Sequence, residues 1–193
     1  MNRFEAIRKE IEKIMPNSPL EFEPMHSKLT LKWLLKLKPD ADESLRIAAL
    51  AHDIDRAVTG ITETYDLKDY SKIDEFKAEH AKRSAKIVCD LMKKHDYDKE
   101  TIEKVNSLVL NHEVGGDEET NTLMDADSIA YFDYNISDYF KRNGKEKTKK
   151  KIKFMYRRIS EKAKQEVKKI KFKKEVKELF QEAISELKQD EMP

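Results

Sequence analysis

The chain contains few of the residues that interrupt or cross-link a polypeptide. Its 193 residues include four glycines, five prolines and one cysteine, Cys89. So few turn formers argue against an all-β fold, and a single cysteine excludes an internal disulfide and is typical of a reducing compartment. No apolar run approaches the roughly 20 residues that cross a bilayer, and the N-terminus lacks the apolar segment of a secretory signal. These features predict a cytoplasmic protein with no membrane partner.

Charge is abundant and unevenly distributed. Charged residues make up 40% of the chain and hydrophobic residues 38%, which is enough for one sizeable core. Residues 141–193 contain 19 Lys and Arg against 9 Asp and Glu, a net charge of +10, whereas residues 1–140 carry −9. Such a basic region can attract anionic substrates or nucleic acid. No nucleic-acid motif accompanies it, so a solvated lysine-rich face is the simpler interpretation.

Apolar residues recur at helical spacing along almost the whole chain. The pattern predicts helices over about 3–14, 25–37, 42–52, 73–94, 99–112 and 122–140, with a loop at 58–72. The segment from Leu45 to Ala51 is apolar almost all round, which places it at the centre of a core. Asn143-Gly144 is expected to end a helix in a left-handed turn.

Two apolar stripes that differ in phase follow Gly144. They predict two C-terminal helices that meet at a bend near residues 170–173. The sequence therefore predicts an all-α fold, a single domain over residues 1–193. Its core spans about 22–140, and two basic helices over 145–190 pack on that core.

Four of the five histidines lie in or at the ends of predicted helices. His52-Asp53 ends the most apolar helix, where a buried His-Asp pair requires compensation of its charge. His26 opens an earlier helix, and His80 and His112 lie in later ones. Imidazole and carboxylate groups are common ligands of divalent metals, so these residues together predict a metal site.

The order of these residues resembles the HD-domain superfamily of metal-dependent phosphohydrolases. The resemblance covers residues 22–140 and rests on His26, Ala51-His52-Asp53-Ile54-Asp55-Arg56, His80, His112 and Ala126-Asp127-Ser128-Ile129. Within the superfamily, the chain looks like the short prokaryotic members of unassigned activity. The resemblance implies an all-α fold, a divalent metal ion (Mn, Fe, Co, Ni, Mg or Zn) and hydrolysis of a phosphate ester or nucleotide by a metal-activated water.

The resemblance also implies a role for each matching residue. The positions that match the superfamily's metal ligands are His26, His52, Asp53 and Asp127. His80 and His112 match histidines that bind a second metal or act on the leaving group in some members. Arg56 would face substrate phosphate, and Asp53 would also accept a proton from the attacking water. The implied catalytic residues are therefore Asp53, Arg56, His80 and His112.

Two acidic residues leave alternatives open. Asp55 stands where the superfamily often has glycine, so it either adds negative charge beside an anion site or orients a ligand histidine. Asp125 and Asp127 compete for the distal ligand position, because residues two apart on a helix point roughly 200° apart. The Ala-Asp-x-Ile pattern favours Asp127.

Two other functions remain open beside a phosphohydrolase with a small phosphorylated substrate. One is a non-catalytic metal or nucleotide sensor on the same fold, which the departure at Asp55 and the lack of a second catalytic signature keep open. The other is an RNA-associated helical protein that uses residues 141–174. Arg157 and Arg158 can place a basic edge over the pocket, although a surface role is the simpler interpretation.

Overall fold

The computed structural model describes residues 2–190, whose regular secondary structure consists of helices without strands. The predicted all-α fold is confirmed. The helices are α1 (Arg3–Ile14), α2 (Glu23–Leu37), α3 (Glu43–Ala51), α4 (Ile54–Thr59), α5 (Ile73–Lys94), α6 (Lys99–Asn111), α7 (Glu118–Ala130), a π-helix (Tyr131–Asn135), α8 (Ile136–Arg158), α9 (Glu161–Val167) and α10 (Lys174–Asp190). Within the described range, every helix is too short or too polar to cross a bilayer.

Side-chain caps fix where many of these helices begin. In each case an extended residue directly before the helix accepts a hydrogen bond from the backbone N–H three residues later. The caps are Asn2, Asp42, Asp98, Asp117 and Ser160. A cap of this kind stabilises a helix by about 1 kcal/mol.

The apolar helix α3 lies at the centre of the fold. Helices α1, α2, α6 and α7 pack around it, and Ile47, Ala48 and Leu50 are at most 1% exposed. The sequence predicted this central position. Because α3 ends inside the protein, His52 and Asp53, which directly follow its last residue, are buried.

An additional helix, α4, lies between Asp53 and the loop predicted over 58–72 and takes up the first two residues of that loop. Helix α4 starts at Ile54 and ends at Gly60, which has the left-handed conformation (φ +74°) that glycine adopts without strain. Gly144 also has a positive φ of +73°, and helix α8 is interrupted there, as the sequence predicted.

The prediction of two C-terminal helices is wrong, because residues 145–190 contain three helical segments. The break lies at Ile159, which is extended (φ −91°, ψ 152°), and Ser160, which caps α9. The Asp125 carboxylate accepts hydrogen bonds from the backbone N–H and the hydroxyl of Ser160, at 2.8 and 2.5 Å. The apolar stripe continues across the break, since Ile159 and Ala163 are both buried. The bend predicted near residues 170–173 lies between α9 and α10.

An aromatic cluster holds the C-terminal helices against the body. The ring of Phe180 on α10 packs against Phe132, Tyr156 and Phe172, with centroids 5.0 to 5.8 Å apart. Helix α10 lies along α8. This packing leaves another face of α8 directed toward the body, where it lines a cavity.

Candidate metal centre

Four histidines and two aspartates converge in the interior from separate helices. They are His26 on α2, His52 and Asp53 at the end of α3, His80 on α5, His112 at the end of α6 and Asp127 on α7. All six are at most 9% exposed. The His52 ring lies 5.4 Å from the ring of His26 and 5.2 Å from the ring of His112. The structure thus brings together every residue that the sequence predicted as a metal ligand.

These six residues form two adjacent triads whose ligand atoms are close enough to share an ion. In the first triad, made by His26, His52 and Asp127, the ligand atoms lie within 4.8 Å of one another. The second triad, made by Asp53, His80 and His112, meets the same limit. Buried imidazole and carboxylate groups at this separation can hold a divalent metal ion.

Asp53 faces both triads at once. Its Oδ1 lies 2.9 Å from Nε2 of His80 and 3.8 Å from Nε2 of His112. Its Oδ2 lies 3.5 Å from Nε2 of His52 and 3.9 Å from Nε2 of His26. One carboxylate can therefore serve two neighbouring cation positions.

Backbone carbonyls fix the orientation of two of the histidines. Nδ1 of His52 donates to the carbonyl of Ala49 at 3.1 Å, and Nδ1 of His112 donates to the carbonyl of Val109 at 2.7 Å. A carbonyl only accepts, so Nδ1 carries the hydrogen in both rings and Nε2 points into the cluster. Among the described residues, Nε2 of His52 is buried without a hydrogen-bond partner. A buried imidazole nitrogen that faces two carboxylates without a hydrogen bond to either fits a metal ligand.

Asp55 orients His80 from outside the cluster. Its Oδ2 lies 3.0 Å from Nδ1 of His80, and Arg83 pairs with the same carboxylate at 2.8 Å. This is the orienting contact that the sequence offered as one alternative for Asp55. The sequence did not single out Arg83, since the contact joins residues that are distant along the chain.

The distal aspartate of the cluster is Asp127. Its Oδ1 lies 3.0 Å from Nε2 of His26 and 3.7 Å from Nε2 of His52. Asp125 points away from the cluster and caps α9 through Ser160. The preference for Asp127, based on the residue pattern, agrees with this geometry.

The cluster shifts the pKa values of its own histidines in opposite directions. Burial alone lowers the pKa of His52, but the charges of Asp53 and Asp127 outweigh burial and raise the value to about 9. Burial dominates at His112 and lowers its pKa to about 4. At neutral pH and without a metal, His52 is therefore protonated and His112 is neutral.

Two arginines occupy the outer side of the cluster. Arg56 lies 2.5 Å from Oδ2 of Asp53 and 3.1 Å from Oε1 of Glu23. Arg158 lies 2.5 Å from Oδ2 of Asp127 and 3.0 Å from Oε2 of Glu113. The sequence predicted Arg56 at the site. For Arg158 a surface role was the simpler interpretation, but its guanidinium contacts the buried Asp127.

Glu23 is a cavity residue that the sequence analysis missed. It is 1% exposed, and burial raises its pKa to about 7 against the opposing charge of Arg56. Glu23 stands three residues before His26, a spacing that places both on one helix face. That spacing is the signal that could have identified it.

A cavity of about 280 Å³ opens onto the cluster. Its floor includes Arg56 and the ligand residues other than His52. Helix α8 contributes part of its wall. The wall residues from the π-helix and α8 include Tyr131, Asn135, Tyr139, Arg142, Lys147, Lys151 and Arg158. Part of the basic C-terminal region therefore faces the cavity.

Comparisons with known proteins identify a family without a described activity. No curated protein and no solved structure matched the chain. A family model described as "Domain of unknown function (DUF4202)" matches residues 6–180. That range includes both triads, the cavity wall and the start of α10. The chain belongs to the DUF4202 family.

Proposed function

We propose that this protein is a divalent-metal-dependent phosphohydrolase of the HD type that acts on a phosphate ester or nucleotide. The observation that supports the proposal is the pair of buried His/Asp triads that share Asp53 at the base of a cavity. Their residues are those that carry the resemblance to the HD-domain superfamily. Shared carboxylates between closely spaced cations are typical of two-metal hydrolytic sites.

The residues present fit two cations. His26, His52 and Asp127 would hold one cation together with Oδ2 of Asp53. His80 and His112 would hold the other together with Oδ1 of Asp53. When bound, divalent cations lower the pKa of coordinated water and draw negative charge from a phosphoryl group.

Arg56, His80 and His112 have distinct roles in the cavity. Arg56 projects into the cavity, and a guanidinium matches the geometry of phosphate oxygens. The neutral His112 is a poor proton donor, and both ring nitrogens of His80 face carboxylates. We therefore assign these histidines to metal binding rather than to protonation of the leaving group.

Glu23 is the better candidate for the proton donor. In the metal-free protein its pKa is about 7, so its carboxyl group carries a proton over part of the neutral range, as a general acid requires. Its Oε2 is buried and, in the part of the chain described, has no hydrogen-bond partner. That proton is therefore available to a leaving oxygen in the cavity.

The basic C-terminal region contributes little support for an RNA-associated function. Lys145 and Lys149 pair with Glu182 on α10, and Lys149 and Lys153 pair with Glu186. These pairs hold α8 and α10 together, so much of the positive charge is compensated within the protein.

Metal analysis combined with a phosphate-release assay tests the proposal. We expect about two equivalents of divalent metal per chain and phosphate release from at least one class of phosphorylated compound. Asp53→Asn should lose both properties. His95→Gln is the matched control, because His95 pairs with Glu10 away from the cluster. A metal-loaded wild-type protein that is no more active than Asp53→Asn on the whole panel would refute the enzymatic function.

A further inference from the structure

Two lysines on α8 face the cavity without an acidic partner. Lys147 and Lys151 are one helical turn apart and both line the cavity. Within residues 2–190, neither forms an ion pair, whereas Lys145, Lys149 and Lys153 on the same helix all pair with α10. Helix α8 thus has one compensated basic face and one uncompensated face, and the uncompensated face lines the cavity.

The position of Lys151 disfavours its positive charge. The side chain is partly buried, and its Nζ lies 5.8 Å from the ring centroid of Tyr131 and 5.5 Å from that of Phe154. Burial together with the charges of Lys77 and Arg158 outweighs the negative charges of Glu113 and Glu63 and lowers the pKa of Lys151 to about 8. An anionic group beside Nζ would compensate this charge, as buried charges generally require.

Two polar groups of the π-helix lie in the same wall without partners. The hydroxyl of Tyr131 and Oδ1 of Asn135 are buried, and neither has a hydrogen-bond partner in the described chain. Both residues line the cavity and are at most 7% exposed. π-helical turns occur frequently at functional sites, and an unsatisfied buried hydroxyl is costly unless a ligand or water pairs with it.

The other cations of the cavity are already paired. Arg56 and Arg158 contact the carboxylates of the cluster, and Lys77 pairs with Glu113 at 3.0 Å. The unpaired positive charge therefore lies on α8, on a different helix from Arg56, to which the reacting phosphate is assigned.

We propose that Lys147, Lys151 and the hydroxyl of Tyr131 form a second anion site, so that the substrate is a phosphate ester with another anionic group. This inference rests on the proposed function for the reaction, but the anion site does not depend on turnover. The second group is a phosphate or a carboxylate, since either accepts hydrogen bonds from ammonium and hydroxyl donors.

Substrate selectivity of the metal-loaded protein tests this site. The probes are 4-nitrophenyl phosphate, which has one anionic group, a sugar bisphosphate and a phosphorylated hydroxy acid. We expect wild type to prefer at least one doubly anionic probe, and the preferred probe identifies the second group. Lys151→Ala should lower the ratio of kcat/KM for that probe over 4-nitrophenyl phosphate by about 10- to 100-fold, mainly through KM, because a hydrogen bond to a charged group is lost. Lys151→Arg should retain most of the preference.

The adjacent lysine provides the control. Lys150→Ala makes the same change of charge at an exposed position outside the cavity, and its selectivity ratio should equal that of wild type. An equal ratio in Lys151→Ala and wild type, or no preference in wild type, would overturn the second site.

A binding measurement separates failure of this site from failure of the phosphohydrolase. Inorganic phosphate should raise the melting temperature of the metal-free wild type and of Lys150→Ala, but raise that of Lys151→Ala much less. That pattern in a protein without turnover would support the anion site while refuting the enzyme. An equal shift in all three proteins would refute the anion site.

Discussion

Metal binding should displace a proton from His52. The carboxylates of the cluster raise the pKa of this imidazole to about 9, so His52 is mostly protonated at pH 7.5. His112, with a pKa of about 4, is already neutral, and the pKa values of Asp53 and Asp127 lie well below their usual range. We therefore expect His52 to release about one proton when a cation binds to the first triad.

Calorimetric titration at pH 7.5 in buffers with different ionisation enthalpies measures this release. The observed heat should change with the buffer, and the His52 contribution should fall by half near pH 9. His95→Gln should release the same number of protons as wild type. Heats that are independent of the buffer would show that the first triad binds no cation at the expense of a proton.

Three further outcomes follow from the contacts. In metal-free protein, the depressed pKa of His112 means that the free energy of unfolding falls as pH drops from about 6.5 to about 4; His112→Asn should remove this part of the urea-denaturation profile. Asp55→Asn weakens the acceptor that orients His80, and calorimetry should show about 10- to 100-fold weaker metal binding. Asp42→Ala removes the α3 cap and should cost about 1 kcal/mol in urea denaturation, without a change in metal content.

The sequence predicted the fold because apolar spacing reports directly which face of each helix is buried. Helix α4 was missed because six residues are too few to display a period. The break at Ser160 was also missed, because the apolar positions on either side keep the same phase. The π-helix was not predicted either, because the spacing of apolar residues does not distinguish it from an α-helix.

The ligand residues could be predicted because their types and order along the chain carry the resemblance. Their partners could not be predicted in the same way. Arg83, which contacts Asp55, and Arg158, which contacts Asp127, lie on helices whose relative positions depend on the packed core. Only Glu23, close to His26 on one helix, left a local signal.

Asp53 links the two triads through a single side chain. Under the proposed function, a cation in either triad fixes the rotamer of this carboxylate and so positions its other oxygen for the neighbouring triad. The two binding events would then be positively cooperative, each increasing the affinity for the other. A half-loaded protein would be scarce during titration, and the centre would pass from empty to full over a narrow range of metal concentration.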